Sequence, residues 1–454
     1  MFKKLFISKT KLSIFISILI LISISAIIFY KAVNYKTVMV EDLLFSSQYY
    51  EQFQNEGIVK KIFTTSVYFD KIKYLYRPVF ILSFYVDSKI SLGKVNVKIN
   101  HITSLLLHLL CVLIFFCFLV NHCNFKIYLA LLGALFFSIN IFSVWSAVWL
   151  CGRCDLLLFL FAFSSFIFFI KANETDNNSR KIFFLLIHFI LFFAAVLSKE
   201  TAVVLPFVCL IFAYIKGYKI KFSYLFYVII YFAYFLMYSN DVNFIKQFMG
   251  LFNKDTLYMI CDYLSAPFYL SKPKIVPAYN FLTILKGLSV MIFFFVVIMK
   301  SKEKKLMLFY ILFAILFFLP TLLAKRIAFQ GNRMYFPMAC IIISLLYMID
   351  EFCKNDLKKI KTKVCTMFLI IFIIINSICV NNAMKFAYDD DSAINTISNE
   401  YMEDFKNRDK ILKVAFFLAD YYSIYGYSKQ ANIIRNKFFI LKSAYKTNSK
   451  EHKK

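Results

Sequence analysis

The sequence predicts an all-α protein that crosses a membrane many times. Three observations carry this. Of its 454 residues, 61% are hydrophobic and only 17% charged, against about half and a quarter in a soluble domain. Apolar stretches of roughly twenty residues, the length that spans a hydrocarbon core, recur along the whole chain. Lys and Arg crowd alternate loops, the pattern that orients helical membrane proteins. Nine Gly against 57 Phe exclude a β-barrel, whose strands alternate and turn often. Too little polar chain remains for a soluble enzyme, a secreted disulfide scaffold, a disordered protein or a one-span anchor.

Eleven apolar segments are read, at about 12–30, 102–120, 127–142, 155–170, 182–197, 202–215, 222–239, 283–299, 306–323, 334–350 and 364–381. The first follows Lys3, Lys4, Lys9 and Lys11 and looks like a signal peptide. No small-residue cleavage site follows it and it reaches about twenty residues, so it reads as an uncleaved span. Pro78–Val86 is apolar but far too short to cross and reads as interfacial or re-entrant. The segments at 182–197 and 202–215 are short, and that pair is the weakest part of the count. With the N-terminus inside, six inner segments carry 20 Lys/Arg and three short outer loops carry 5. This orientation puts 31–101, 240–282 and the tail 384–454 outside. The expected organisation is a polytopic domain over 1–383 and an extracytoplasmic helical tail over 384–454, in the inner (plasma) membrane of the cell.

The net charge of +27 would suggest nucleic acid in a soluble protein. Here basic flanks of many spans account for it, no separate basic stripe exists, and nucleic-acid binding is excluded. Most of the 11 Cys lie inside spans as small hydrophobes. Cys151-Gly152-Arg153-Cys154 is one C-x-x-C without a partner pair, so zinc is not expected, nor is a thioredoxin-like unit.

The five outer basic residues, Arg153, Lys199, Lys325, Arg326 and Arg333, run against the bias. Cations at the mouths of spans usually have a carboxylate or phosphate partner. Three of them sit in short motifs. Val38-Met39-Val40-Glu41-Asp42 opens the first outer loop, which continues through Tyr76-Arg77-Pro78 to Asp87 and Asn100-His101…Leu107-His108. Then come Trp145-Ser146-Ala147-Val148-Trp149-Leu150-Cys151-Gly152-Arg153-Cys154-Asp155-Leu156-Leu157, Ser198-Lys199-Glu200 with Pro206, and Asn332-Arg333-Met334-Tyr335-Phe336-Pro337. Together these resemble the GT-C superfamily of polytopic glycosyltransferases, in particular protein O-mannosyltransferase-like enzymes and the transmembrane-and-TPR subgroup. That family carries "YRPL…S…D", "H…N…LLLH", "EAVAWISGRADLL", "SKE…P" and "ERYLYLP" in this order. The chain departs from it at Asn140-Ile141 in place of "HP", at Trp145 in place of Glu, and at Asn332 in place of Glu.

The resemblance implies sugar transfer on the outer face from a polyprenyl-phosphate-linked donor to an acceptor hydroxyl of a protein, lipid or glycan, with inversion and without a cofactor or metal. Such transfer needs a base for the acceptor proton and cations for the departing phosphate. Asp42 is the expected base and Glu41 the second choice; either also fits the acid of a helix starting near Leu43. Arg77, Arg153, Lys199 and Arg333 are the expected phosphate-binding cations. Pro78 would hold Arg77 toward phosphate or toward Asp87, and Asp155 would orient Arg153. Lys199 would face the phosphate with Glu200 in support, unless the two neutralise each other. Tyr335 would support the site or anchor at the interface. His101 and His108, seven apart on one helix face, suit site lining or packing better than a metal pair. In the tail, Leu418, Ala419, Tyr422, Gly426 and Ala431 follow the spacing of one TPR hairpin, too little for a solenoid, with a disordered Lys-rich end and possible contact with a protein partner. Two rival readings are a non-catalytic scaffold of the same fold and a lipid-linked-glycan transporter. The second would need polar residues through the depth of the bundle.

Overall fold

The computed structural model describes residues 2–35, 49–67, 76–94, 96–219, 225–238, 254–265, 281–322, 331–354, 360–384 and 428–451, with 394–395, 398, 412, 415–416 and 419–420. All regular structure among these residues is helical. The helices are α1 (Phe2–Phe29), α2 (Pro78–Ile90), α3 (Val97–Asn121), α4 (Ile127–Ser138), α5 (Ile141–Ala147), α6 (Arg153–Glu174), α7 (Asn178–Ser198), α8 (Leu205–Lys216), α9 (Leu225–Tyr238), α10 (Lys254–Ser265), α11 (Phe281–Lys300), α12 (Lys304–Leu322), α13 (Tyr335–Lys354), α14 (Ile360–Met384) and α15 (Ser428–Glu451). Two short helices, Tyr49–Gln52 and Ile58–Thr64, precede α2.

The described residues of each apolar segment of the sequence fall almost entirely on helices. Seven helical stretches among the described residues are long and apolar enough to cross a membrane, and an eighth if the bent pair α4–α5 is one span. The segment at 202–215 lies on a 3-10 turn, Glu200–Val204, and the 12-residue α8, and the described part of the segment at 222–239 is the 14-residue α9. The segment at 306–323 is the 19-residue α12.

Burial sorts the spans. The stretches built on α6 and α13 are 67% and 61% buried, so they form the centre; those built on α1, α11 and α14 are 17–22% buried and form the rim. The centre is aromatic. Phe159 of α6 stacks on Phe163 (4.7 Å, 14°), and Phe336 of α13 stacks on Phe317 of α12 (4.0 Å, 10°). Between lipid-immersed helices such shape matching carries the association, because apolar burial alone gains little there. Buried hydrogen bonds fix the register. His108 of α3 meets the Tyr335 hydroxyl through Nδ1 (2.7 Å) and Ser138 of α4 through Nε2 (3.4 Å), and Ser138 meets Ser25 of α1 (2.7 Å). His188 of α7 ties Ser165 of α6 (2.8 Å) to Tyr227 of α9 (2.5 Å).

The third apolar segment is not the straight span expected. It breaks by 62° between α4 and α5. Asn140, fully inside the protein, serves both broken ends: Nδ2 donates to the carbonyls of Phe137 (2.6 Å) and Phe136 (3.2 Å), and Oδ1 accepts from the Phe142 N–H (2.9 Å). A helix end buried in apolar surroundings needs such a partner. The residue that departs from the resembled family's "HP" therefore holds the kink that carries Trp145 and Trp149 to the end of the bundle.

In the tail, Ala431, Ile434 and Phe438 of α15 are buried, as are Ile394, Leu412, Ala415 and Ala419. Lys437 reaches Asn395 (2.5 Å) and Arg435 pairs with Asp420 (2.8 Å). Leu418, Tyr422 and Gly426 of the expected TPR spacing lie outside the described residues.

Asn140→Leu leaves at least two buried backbone groups unsatisfied, each costing about 1–3 kcal/mol. Its melting midpoint in detergent is expected to fall well below that of the parent, whereas Asn173→Leu, on a single carbonyl bond near the end of α6, is expected to change it little.

Candidate functional site

One end of the bundle gathers the buried charges of the described residues. The N-terminus of α2 brings Arg77 there; the α5–α6 junction brings Arg153, Cys154 and Asp155; the α7–α8 junction brings Lys199 and Glu200; the turn before α13 brings Asn332 and Arg333. The α5–α6 junction is held by close backbone packing. A Cβ on Gly152 would lie 2.0 Å from the Trp145 carbonyl oxygen and 2.8 Å from the Ser146 Cα.

Behind this end lies an enclosed ion pair. Arg153 Nη1 is 2.8 Å from Asp87 Oδ2, and both side chains are 0% exposed. Arg153 also donates to Ser104 Oγ (3.0 Å), Ser83 Oγ (3.2 Å) and the Asn100 carbonyl (2.6 Å), and stacks over Phe84 at 3.9 Å. Asp87 accepts from the Thr103 hydroxyl (2.7 Å). Arg153, expected at the phosphate, is enclosed here against α2 and α3 with Asp87 as its ion-pair partner, while Asp155 pairs with Lys199 and Arg77 pairs with Glu200.

In front of that pair the charges exchange partners again. Arg77 clasps Glu200 with two hydrogen bonds, Nε to Oε2 (2.9 Å) and Nη2 to Oε1 (2.7 Å), and its Nη1 lies 3.7 Å from the Cys154 sulfur. Lys199 Nζ meets Asp155 Oδ1 at 2.5 Å, and Asn332 Nδ2 donates to Asp155 Oδ2 (2.7 Å). Lys199 and Glu200 each take a direct partner other than their neighbour in sequence. Arg333 lies within electrostatic reach of Asp155, Glu200 and Arg77. Tyr263 of α10 packs against Phe142 of α5 and Phe318 of α12 over the same end. Burial pushes the Glu200 carboxyl up, but the Arg77 guanidinium beside it, helped by Lys199, outweighs this and holds it at about 2.

Arg77, Asp155, Lys199, Glu200 and Arg333 are thus brought together, with Arg153 one layer behind. His108 and Tyr335 hydrogen-bond to each other inside the bundle (2.7 Å). His101 is buried and lies edge-on to Tyr35 at 6.5 Å. Glu41, Asp42, Lys325 and Arg326 lie outside the described residues. Sequence reasoning missed Asn332 and Cys154 as members of the cluster. It also missed three buried polar atoms without a hydrogen-bond partner, Trp149 Nε1, Thr201 Oγ1 and Asn332 Oδ1. Their signal was a polar residue flanking each motif. Among the described residues no group of three His, Cys, Asp or Glu could hold a metal ion.

No protein-family model and no curated protein matches the chain. Among solved structures it is similar to the crystal structure of ArnT from Cupriavidus metallidurans bound to undecaprenyl phosphate. The two share 10% identity and a TM-score of 0.48, over 84% of this chain and 77% of that one. A likeness of this degree leaves function to the site itself.

Two outcomes follow from the geometry. Gly152→Ala, which must push the Trp145 carbonyl aside, is expected to lower the yield of folded, monodisperse protein sharply. A carboxylate whose folded pKa is lowered adds stability above its unfolded value of about 4.5 and loses it as pH falls toward about 2. The parent is therefore expected to lose more melting temperature than Glu200→Gln on acidification from pH 5 to pH 2.5; equal losses would show that the Arg77 pair contributes nothing.

Proposed function

We propose that the chain is a membrane glycosyltransferase of GT-C type, acting on a sugar carried by a polyprenyl phosphate. The observation that supports this most is the convergence of Arg77, Lys199 and Arg333 from three separate junctions onto one end of an otherwise apolar bundle. Cations are costly at membrane depth and mark sites for anions. Convergent polar groups in apolar walls are the usual form of a ligand site. Trp149, Thr201 and Asn332 add two donors and an acceptor left unsatisfied in the same region, a state that calls for explanation by a polar ligand or water.

In this reading the acceptor hydroxyl loses its proton to Asp42 as its oxygen attacks the anomeric carbon. The bond from that carbon to the phosphate oxygen breaks, and the lipid phosphate leaves with the bonding pair. Arg77, Lys199 and Arg333 balance the charge that develops on it. Asp155 and Glu200 keep Lys199 and Arg77 extended and in place. The motifs lie on the outer face, with the N-terminus inside, as the Lys/Arg bias of the loops favours. The acceptor is a hydroxyl of a protein, lipid or glycan.

The internal pairing favours a second reading. Arg153 with Asp87, Arg77 with Glu200 and Lys199 with Asp155 already neutralise one another. A scaffold that kept the fold without the chemistry would show the same.

The decisive assay is transfer of radiolabelled sugar from polyprenyl-phosphate sugars in proteoliposomes. Label is expected to move to an acceptor, with Asp42→Asn slowing turnover about 10²–10⁴-fold while donor binding persists. Arg333→Ala is expected to weaken donor binding roughly ten- to a hundredfold through loss of a charge-assisted contact. Failure to transfer from any carrier sugar offered would favour the scaffold.

A further inference from the structure

The Cys151–Cys154 pair belongs to no step above, yet the structure sets it against the charged cluster. Residues 150–152 form a 3-10 turn that runs directly into α6, and Gly152 and Arg153 are both right-handed (φ −67°, ψ −13° and φ −55°, ψ −30°). Residues three apart on such a turn share one face, with Cα atoms about 5 Å apart by helix geometry. A disulfide accepts Cα separations of about 4.4–6.8 Å. The Cys154 thiol already points back at its neighbour, donating to the Cys151 carbonyl (3.2 Å). The contact of Gly152 with Trp145 and Ser146 holds the turn in this shape. Neither cysteine is in a disulfide; Cys151 is half-buried and Cys154 buried.

The surroundings of Cys154 are those of the site. Its sulfur lies 3.7 Å from Arg77 Nη1 and 3.5 Å from Asp155 Oδ2, and it feels the charges of Lys199 and Glu200.

We propose that Cys151 and Cys154 are a redox modification site, a dithiol that closes reversibly to a disulfide beside the charged cluster. The co-reactant is a disulfide-bearing small molecule or protein. The more accessible Cys151 attacks it as thiolate, forming a mixed disulfide and releasing one thiolate. Cys154 then attacks the Cys151 sulfur and expels the second. Two protein thiols are oxidised, one disulfide of the co-reactant is reduced to two thiols, and the two protons lost by the cysteines end on them. The inference rests on the proposed function only for its compartment: the outer face is where such bonds persist.

The test needs no transfer activity. Purified full-length protein in lipid nanodiscs is equilibrated with a series of reduced and oxidised glutathione mixtures, quenched in acid, unfolded, alkylated and read by peptide mass spectrometry. The expected result is loss of both alkylation sites from the 151–154 peptide together, as an internal disulfide, with recovery on adding dithiothreitol. Cys154→Ser should instead trap glutathione on Cys151. Two outcomes would overturn the proposal: both thiols staying alkylatable across the series, or the parent stopping at a glutathione adduct on Cys151. A disulfide in a protein that transfers no sugar would leave this inference standing while the proposed function fell.

Discussion

The arrangement depends on one interaction, the ion pair of Arg153 and Asp87, sealed inside the protein. Taking two charges out of water costs several kcal/mol per ion and is repaid only by close geometry and saturation of the remaining donors and acceptors. Here Ser83, Ser104, the Asn100 carbonyl and the face of Phe84 engage Arg153, and Thr103 engages Asp87 Oδ1, leaving Asp87 Oδ2 to the ion pair itself. The pair pins α2, too short to span anything, to the start of α6 and the first turns of α3. Its neighbours in sequence, Arg77 at one end of α2 and Asp155 in the first turn of α6, are thereby set opposite Glu200 and Lys199. The enclosed pair positions the half-open ones.

That order explains why similar residues act differently. The Arg77 side chain is 11% exposed and that of its partner Glu200 40%, so both can exchange partners without stranding a charge in apolar surroundings. Arg153 cannot. A phosphate arriving at this end would compete with carboxylates for Arg77 and Lys199, and pairing in its absence keeps both side chains extended toward their partners. Asn332 fits the same balance. A carboxylate at that position would sit hydrogen-bond close to Asp155, whereas the amide donates to it and leaves Lys199 to carry the charge.

Much of the helical plan was legible in the sequence, because apolar runs and the punctuation between them are local properties. The described residues of the eleven segments are helical almost throughout, the third as two helices, and the short Pro78 stretch became a short helix. The break at Asn140 was legible only as a departure from a motif, since nothing in the composition of an apolar segment reports a turn of 62°. The convergence of Arg77, Lys199 and Arg333 was foreshadowed by cations at span mouths on one side. Their partners were not. Reading along the chain paired Arg153 with Asp155 and Lys199 with Glu200, yet side chains one or two apart on a helical turn point away from each other. The true partners lie 123 positions away for Arg77 and 44 for Lys199, a distance only the packing of α2, α6 and α7 closes.

The central claim is that the Arg153–Asp87 pair carries the frame of the site. A double-substitution cycle in detergent tests it most directly, with melting measured for Arg153→Met, Asp87→Leu and both together. Removing one partner strands the other charge and should cost about 3–5 kcal/mol, while removing both should recover a large part of that loss. A double variant whose loss equals the sum of the single losses would contradict the account, since it would mean the two side chains stabilise the protein independently.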